Sequence, residues 1–325
     1  MAVSARSFDE MLGQRDAAAA PSAPTPPYEE YSRWFDAVDQ ALLEQKAADC
    51  ERFFRRTGIT FNVYGQTEAA ERLIPFDIIP RIIAASEWRR LTRGIEQRVR
   101  AINAFIYDIY HRQEILRAGR IPKRLIAAND AFLPTMIGVD PPGGVYTHIV
   151  GVDIVRTGPD DFYVLEDNAR TPSGVSYVLE NRETMLQMFP ELFARVRVRE
   201  VGDYPVNLRR SLSACAPASA HHRAVVAVLT PGIFNSAYFE HAFLADQMGA
   251  ELVEGSDLRV ADGRVAMRTT QGFKPIDVLY RRVDDDYLDP LSFRPESTLG
   301  VPGVMDIYRA GGITIANAPG AGIAD

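Results

Sequence analysis

The sequence predicts a mixed α/β (α+β) protein, on three observations. Residues 224–253 form a strand–helix–strand unit of about thirty residues, residues 147–165 form an antiparallel hairpin, and a long amphipathic helix precedes that hairpin. With 325 residues and 46% hydrophobic content the chain can bury the cores of two domains. A charged fraction of 24% argues against wholesale disorder, and a net charge of −7 against a general nucleic-acid or membrane-surface binder. Cys50 and Cys215 form neither a disulfide framework nor a four-ligand zinc site, which fits a reducing cytoplasm. Residues 1–15 lack the apolar core of a signal peptide, and no run approaches the ~18 apolar residues of a membrane span. The expected location is therefore cytoplasmic.

The elements follow in order. Residues 1–27 read as a tail, because Ala17, Ala18, Ala19 and Ala20 are followed by Pro21, Pro24, Pro26 and Pro27. Residues 29–56 read as one helix, with Arg55 and Arg56 suited to its C-terminus before Gly58. Residues 59–64 are extended. A helix over 86–118 starts at Ser86 as N-cap, repeats Trp88, Leu91, Ile95, Val99, Ile102, Phe105, Ile106 and Ile109 at steps of three and four, and stops before Gly119. Residues 147–155 and 162–165 are rich in β-branched and aromatic residues around the turn composition 157–161. Helices follow over 177–189 and after Pro205. The small, polar stretch 211–222 reads as a linker and includes His221 and His222, which have no third ligand nearby in sequence. Residues 224–229 are a solid apolar run, as in a buried parallel strand. The helix over 237–248, with Gly249 as its stop, leads to a strand at 251–253. A hairpin over 258–267 and strands at 277–280 and 313–316 complete the reading. The domain division is then 1–27, a disordered tail; 28–212, the helical region with the hairpin; and 213–325, a Rossmann-like unit.

One constellation can carry metal chemistry. Side chains alternate along a strand, so Glu166 and Asn168 share a face and Asp167 points away. A turn centred between Pro159 and Asp160 places Asp153 opposite Glu166, with Cβ atoms roughly 4.5–5.5 Å apart. Two carboxylates so close repel unless a cation lies between them. Asp153, Glu166 and the Asn168 amide oxygen offer three hard donors to magnesium, which keeps water or phosphate oxygens besides. The alternative is a solvated hairpin end with one carboxylate paired to Arg156 or Arg170. A second candidate is the loop after the buried strand, Thr230-Pro231-Gly232-Ile233-Phe234-Asn235-Ser236, at the carboxyl end of a parallel strand. There Thr230, Asn235 and Ser236 are candidate substrate contacts. Arg281 is another, although Arg281 and Arg282 point to opposite sides of their strand and at most one faces the crevice. His241, beside Glu240 on a helix, reads as structural.

Longer motifs narrow this picture. Residues 78–83 (Ile-Ile-Pro-Arg-Ile-Ile), Gly151-Val152-Asp153, and residues 165–174 (Leu-Glu-Asp-Asn-Ala-Arg-Thr-Pro-Ser-Gly) carry part of the resemblance. Residues 229–232 (Leu-Thr-Pro-Gly), 235–241 (Asn-Ser-Ala-Tyr-Phe-Glu-His), 280–282 (Tyr-Arg-Arg) and 317–320 (Asn-Ala-Pro-Gly) carry the rest. Together they resemble the circularly permuted ATP-grasp family, related to glutathionylspermidine synthases, from about residue 59 to 325. The resemblance implies an ATP-grasp metal-end domain followed by a Rossmann-like pre-ATP-grasp domain. It also implies a carboxylate–amine ligase that works through an acyl phosphate, with ATP and Mg2+ as cofactors and small-molecule or peptide-like acid and amine substrates, and without nucleic-acid or membrane partners. By the match, Asp153, Glu166 and Asn168 would hold magnesium, and Arg170 and Ser173 would meet the phosphates. Arg170 would have the catalytic role of steadying the transferred phosphoryl group. The alternative for Arg170 is a local salt bridge to Asp167 or Asp153.

Two departures stand out. Glutathionylspermidine synthases carry an arginine where this chain has Gly151. ATP-grasp nucleotide lobes clamp ATP with two strand lysines and a glycine-rich loop, yet the only lysines are Lys46, on a helix, Lys123, in a basic loop, and Lys274, beside a proline. The family would continue beyond residue 325 into that lobe. The expectation is a chain without a nucleotide lobe, which binds ATP weakly or not at all and shows no ligase turnover alone. A non-catalytic binding module that keeps the substrate-side domain is the alternative function.

Overall fold

The computed structural model describes residues 8–13, 24–62, 71–220 and 223–325. His221, His222, the last two residues of the expected 59–64 strand, and most of the expected tail lie outside them. Within that tail, Glu10 pairs with Arg81 and Arg156, which fixes residues 8–13 against the folded part.

Residues 29–57 form two helices rather than one. α1 (Glu29–Ala37) ends where Val38 becomes extended. Asp39 then caps α2 (Gln40–Thr57) by accepting from the Ala41 amide at 2.9 Å. Gly58 closes α2 in the left-handed region, with φ 73°, after Arg55 and Arg56 in the last turn. β1 (Thr60–Asn62) pairs antiparallel with β2 (Glu71–Leu73).

The long helix α3 (Ala85–Tyr110) is shorter than its periodicity predicted. At its start the Ala84 amide donates to Glu87 Oε2 at 2.9 Å, so the N-cap lies two residues before Ser86. At its end the Asp108 carboxylate accepts from the amides of Glu114 and Ile115, which starts a separate helix, α4 (Glu114–Arg117). Only the second half of α3 is deeply buried, through Ile102, Ile106, Ile109 and Tyr110. α5 (Lys123–Ala127) follows.

The hairpin consists of β3 (Gly151–Arg156) and β4 (Phe162–Asn168). It leads into α6 (Val175–Met188), α7 (Pro190–Arg195) and α8 (Tyr204–Ala214). Leu208 and Leu212 of α8 pack with Val226, Val228 and Leu244. Residues 211–214 of the expected linker are therefore the end of a helix lying on the α/β sheet.

That sheet forms from β5 (Val226–Leu229), followed by α9 (Tyr238–Met248) and β6 (Glu251–Val253). An antiparallel excursion comes next: β7 (Leu258–Ala261), β8 (Arg264–Thr269) and β9 (Gly272–Pro275). β9 is a strand beyond the expected hairpin, and it carries Lys274, which thus lies on a strand at a sheet edge. The chain returns as β10 (Val278–Arg281), passes α10 (Asp285–Leu288) and α11 (Val304–Arg309), and ends the sheet with β11 (Thr314–Ala316). Strand order is β11-β10-β5-β6, all parallel, as the continuous apolar runs predicted. The order reverses between β5 and β10, and at such a point the loops beyond the carboxyl ends diverge and leave a crevice.

One apolar cluster joins Ile106, Ile109 and Tyr146 to Leu229, Leu279 and Ile315, so the second half of α3 packs against the α/β layer. A separate cluster of Tyr31, Trp34, Leu43 and Phe189 gathers α1, α2 and the end of α6. No described helix is long and apolar enough to cross a membrane.

Candidate active site

In the hairpin Asp153 lies directly opposite Glu166, as the turn composition predicted. The register shifts between Asp153 and Ile154: Ile154 faces Val164, so Leu165 is an extra residue in β4. Bulges of this kind re-aim side chains beside functional sites. Here the bulge separates the turn end of the hairpin from the acidic end. Asp153, Glu166 and Asn168 are all exposed. Among the described residues neither carboxylate carries an ion pair, and no three His, Cys, Asp or Glu side chains converge as a metal cage. Two carboxylates and an amide oxygen nevertheless fit magnesium, whose remaining positions go to water or phosphate. Gly151 faces Asn168 across the ladder, and a Cβ there would come within 3.3 Å of Pro172 Cβ and 3.4 Å of Asn168 Cβ. An arginine at this position, as the resemblance implied, would crowd the face.

Asp167 points the other way, as alternation required. It is buried and takes both Nε and Nη2 of Arg98 from α3, at 2.6–2.9 Å. This forked pair fixes the back of β4 to the long helix. Asn317, in the loop after β11, holds both flanks of the hairpin. Its Oδ1 accepts from the His148 and Ile149 amides at 2.7 and 3.0 Å, and its Nδ2 donates to the Ile149 and Ala169 carbonyls at 2.6 and 2.8 Å.

Arg170 leaves β4 half-exposed. Its Nε lies 3.5 Å from Asp325 Oδ2 and 3.7 Å from Asp284 Oδ1, rather than against Asp167 or Asp153. Ser173 is exposed. Beyond them the loop meets the α/β layer, where the Pro172 carbonyl accepts from Arg282 Nη1 and the Gly174 amide donates to Glu240.

The crevice residues fall out differently from expectation. Thr230 is buried, its Oγ1 2.9 Å from His241 Nδ1. Burial, with the Arg282 charge behind it, pushes His241 down to about 3, so its ring stays neutral and serves as a structural partner. Arg281 is fully buried. It donates to the carbonyls of Asn317, Val283 and Ala318 and pairs with Asp285 at 2.8 Å. It therefore braces the interior, and Arg282, on the opposite side of the strand, is buried too, its side chain turned to Glu240 and the Pro172 carbonyl. Asn235 and Ser236 line a cavity of about 450 Å3 between α9 and the end of α2, with Thr60, Phe239, Phe243 and Asp246. Asn235 Oδ1 also accepts from the Ala237 amide at the start of α9.

The residue that sequence reasoning missed is Glu240. It is 1% exposed and accepts from the Gly174 amide, the Ser176 amide and the Ser176 hydroxyl. The signal was present: a carboxylate within the apolar run 237–245 must be buried with partners.

The parallel sheet with its switch-point crevice, joined to a hairpin that presents two opposed carboxylates, defines an ATP-grasp-like architecture. The chain belongs to the family described as circularly permuted ATP-grasp type 2, which matches residues 80–325. An uncharacterized protein of Synechocystis is 50% identical over 94% of this chain and 63% of its own length. An uncharacterized protein of Mycobacterium tuberculosis is 48% identical over 99% of this chain and 57% of its own. A putative glutamate–cysteine ligase of Frankia alni is 38% identical over 98% of the chain and 36% of its own. This chain thus spans less than two thirds of the length of these relatives. A glutathione synthetase-like effector from Globodera pallida shares the fold at TM-score 0.51 and 12% identity, over 83% of this chain and 64% of that one.

Proposed function

We propose that the chain forms the metal and substrate side of an ATP-dependent carboxylate–amine ligase. The carrying observation is the opposition of Asp153 and Glu166 on one exposed face, with Asn168 beside them and the exit of that strand held against the α/β layer. In this reading a substrate carboxylate attacks the terminal phosphorus of ATP, giving an acyl phosphate and ADP, and an amine then displaces phosphate to give an amide. Asp153, Glu166 and Asn168 would hold magnesium, which supplies charge neutralisation at the phosphates. Arg170, half-exposed at the edge of the face beside Asp284 and Asp325, would offer its fork to phosphate oxygens. Ser173, Asn235 and Ser236 would contact ligand. The putative ligase name of the Frankia relative is consistent with amide formation.

The test is trapping with hydroxylamine in the longer Synechocystis relative, with ATP, magnesium and a panel of amino acids and short peptides, and with this chain alone run beside it. The expected result is a hydroxamate formed together with ADP and phosphate by the longer relative and none by this chain alone. Release of AMP and pyrophosphate would overturn the acyl-phosphate reading.

A further inference from the structure

We propose that the buried Glu240–Arg282 pair is a positioning device that holds the loop carrying Arg170 and Ser173 against the crevice. This rests on the ligase reading for what the loop does, though not for how it is held. Glu240 lies 66 residues from Gly174 in sequence, on α9, while the loop leaves β4. Glu240 Oε2 accepts from Gly174 N at 2.6 Å, Ser176 N at 3.1 Å and Ser176 Oγ at 2.9 Å. Gly174 has φ 116°, and no side chain of its own segment caps α6. The Glu240 carboxylate therefore satisfies the free amides at the start of α6 from another element, where a negative charge is also favoured by the helix dipole.

Arg282 completes the arrangement. Its Nη2 lies 3.3 Å from Glu240 Oε1, and its Nη1 donates to the Pro172 carbonyl at 2.6 Å and lies 3.1 Å from the Tyr280 hydroxyl. Its own amide donates to the Leu229 carbonyl at 2.7 Å, which fixes it at the reversal of the strand order. Pro172 and Gly174 of the loop and Ser176 in the first turn of α6 are thus held by one ion pair whose side chains are 1% and 2% exposed. A buried pair is a poor source of net stability, because desolvation offsets the attraction, but it demands one geometry. Here that geometry is the path of the chain between the Asn168 face and α6. Glu240 and Arg282 touch no reacting atom and act through the loop.

The experiment compares the chain with Glu240→Ala and Glu240→Gln. Amide hydrogen exchange reads the loop, and titration of magnesium tripolyphosphate, which needs no adenine pocket, reads the phosphate end. Expected for Glu240→Ala is at least tenfold faster exchange confined to residues 170–178, unchanged protection in β5 and β10, and at least tenfold weaker tripolyphosphate binding. Glu240→Gln keeps an acceptor oxygen for the amides of Gly174 and Ser176 but loses the charge facing Arg282, so both readouts should fall between those of the parent and of Glu240→Ala. Unchanged loop exchange in Glu240→Ala would overturn the proposal, as would loss of protection throughout the parallel sheet. Faster loop exchange with unaltered tripolyphosphate affinity would also overturn it, by reducing the pair to a structural role. Absence of tripolyphosphate binding by the unsubstituted chain would count against the ligase reading, while the exchange result would still decide how the loop is held.

Discussion

Asp153 and Glu166 show how far single residues were legible. Their opposition followed from turn composition, yet the pair came out right through two compensating features. The turn-end pairs, such as Arg156 with Phe162, are offset by one residue from the expected register, and the bulge at Leu165 restores it at the acids. Because both acids are exposed and repel one another, Asp153→Asn or Glu166→Gln should change unfolding free energy by less than about 0.5 kcal/mol, with any change tending to stabilise. Urea denaturation checks this; a loss of several kcal/mol would mean the acids are structural. The arginines were legible only by half. Alternation separated Arg281 from Arg282, but both are drawn inward, Arg281 by the carbonyls of Asn317 and Ala318 in the loop after β11 and Arg282 by Glu240 and the Pro172 carbonyl. Nothing local in the sequence announces either capture.

At the scale of elements, strands and helices were found where periodicity is strong and misjudged where a side chain stops them. Asp39 and Asp108 each turn a continuous apolar pattern into two helices by accepting backbone amides. A period carries no trace of such a cap. The hairpin depends on a distant loop, because Asn317 bonds to backbone before β3 and after β4. Asn317→Ala would leave these buried groups unpaired and should cost more than about 3 kcal/mol, measured by urea denaturation. A cost below 1 kcal/mol would show that the flanks are held otherwise. Gly320 is as constrained: at φ 79° an added Cβ would lie 2.8 Å from Tyr110 Cζ. Gly320→Ala should destabilise by about 2–4 kcal/mol, from left-handed strain together with overpacking against α3. A melting temperature unchanged from that of the parent would contradict this packing.

For the whole molecule, the class of fold was legible, whereas the extent of the helix before the parallel sheet was not. The small residues of 211–222 suggested a linker, but amphipathic α8 runs through residue 214 and the core continues from α3 into the parallel sheet. Burial also sets an acid limit. It lowers His148 to about 4 and His241 to about 3. The unfolded chain takes up these protons below about pH 6.5, whereas the folded protein does not until those lower values. Stability from both histidines is therefore complete above about pH 6.5 and falls as pH drops toward 4. The slope approaches about 1.4 kcal/mol per pH unit for each. His241→Gln should flatten the slope between pH 6 and 4 in urea unfolding; an identical slope would place the ring in solvent. The central claim, that the Asp153 face is a cation site joined to the crevice, is tested most directly by manganese titration followed by electron paramagnetic resonance. The predicted result is saturable binding to the chain that Asp153→Asn and Glu166→Gln each weaken by about tenfold or more. Equal binding by all three proteins, or no binding by the parent, would contradict it.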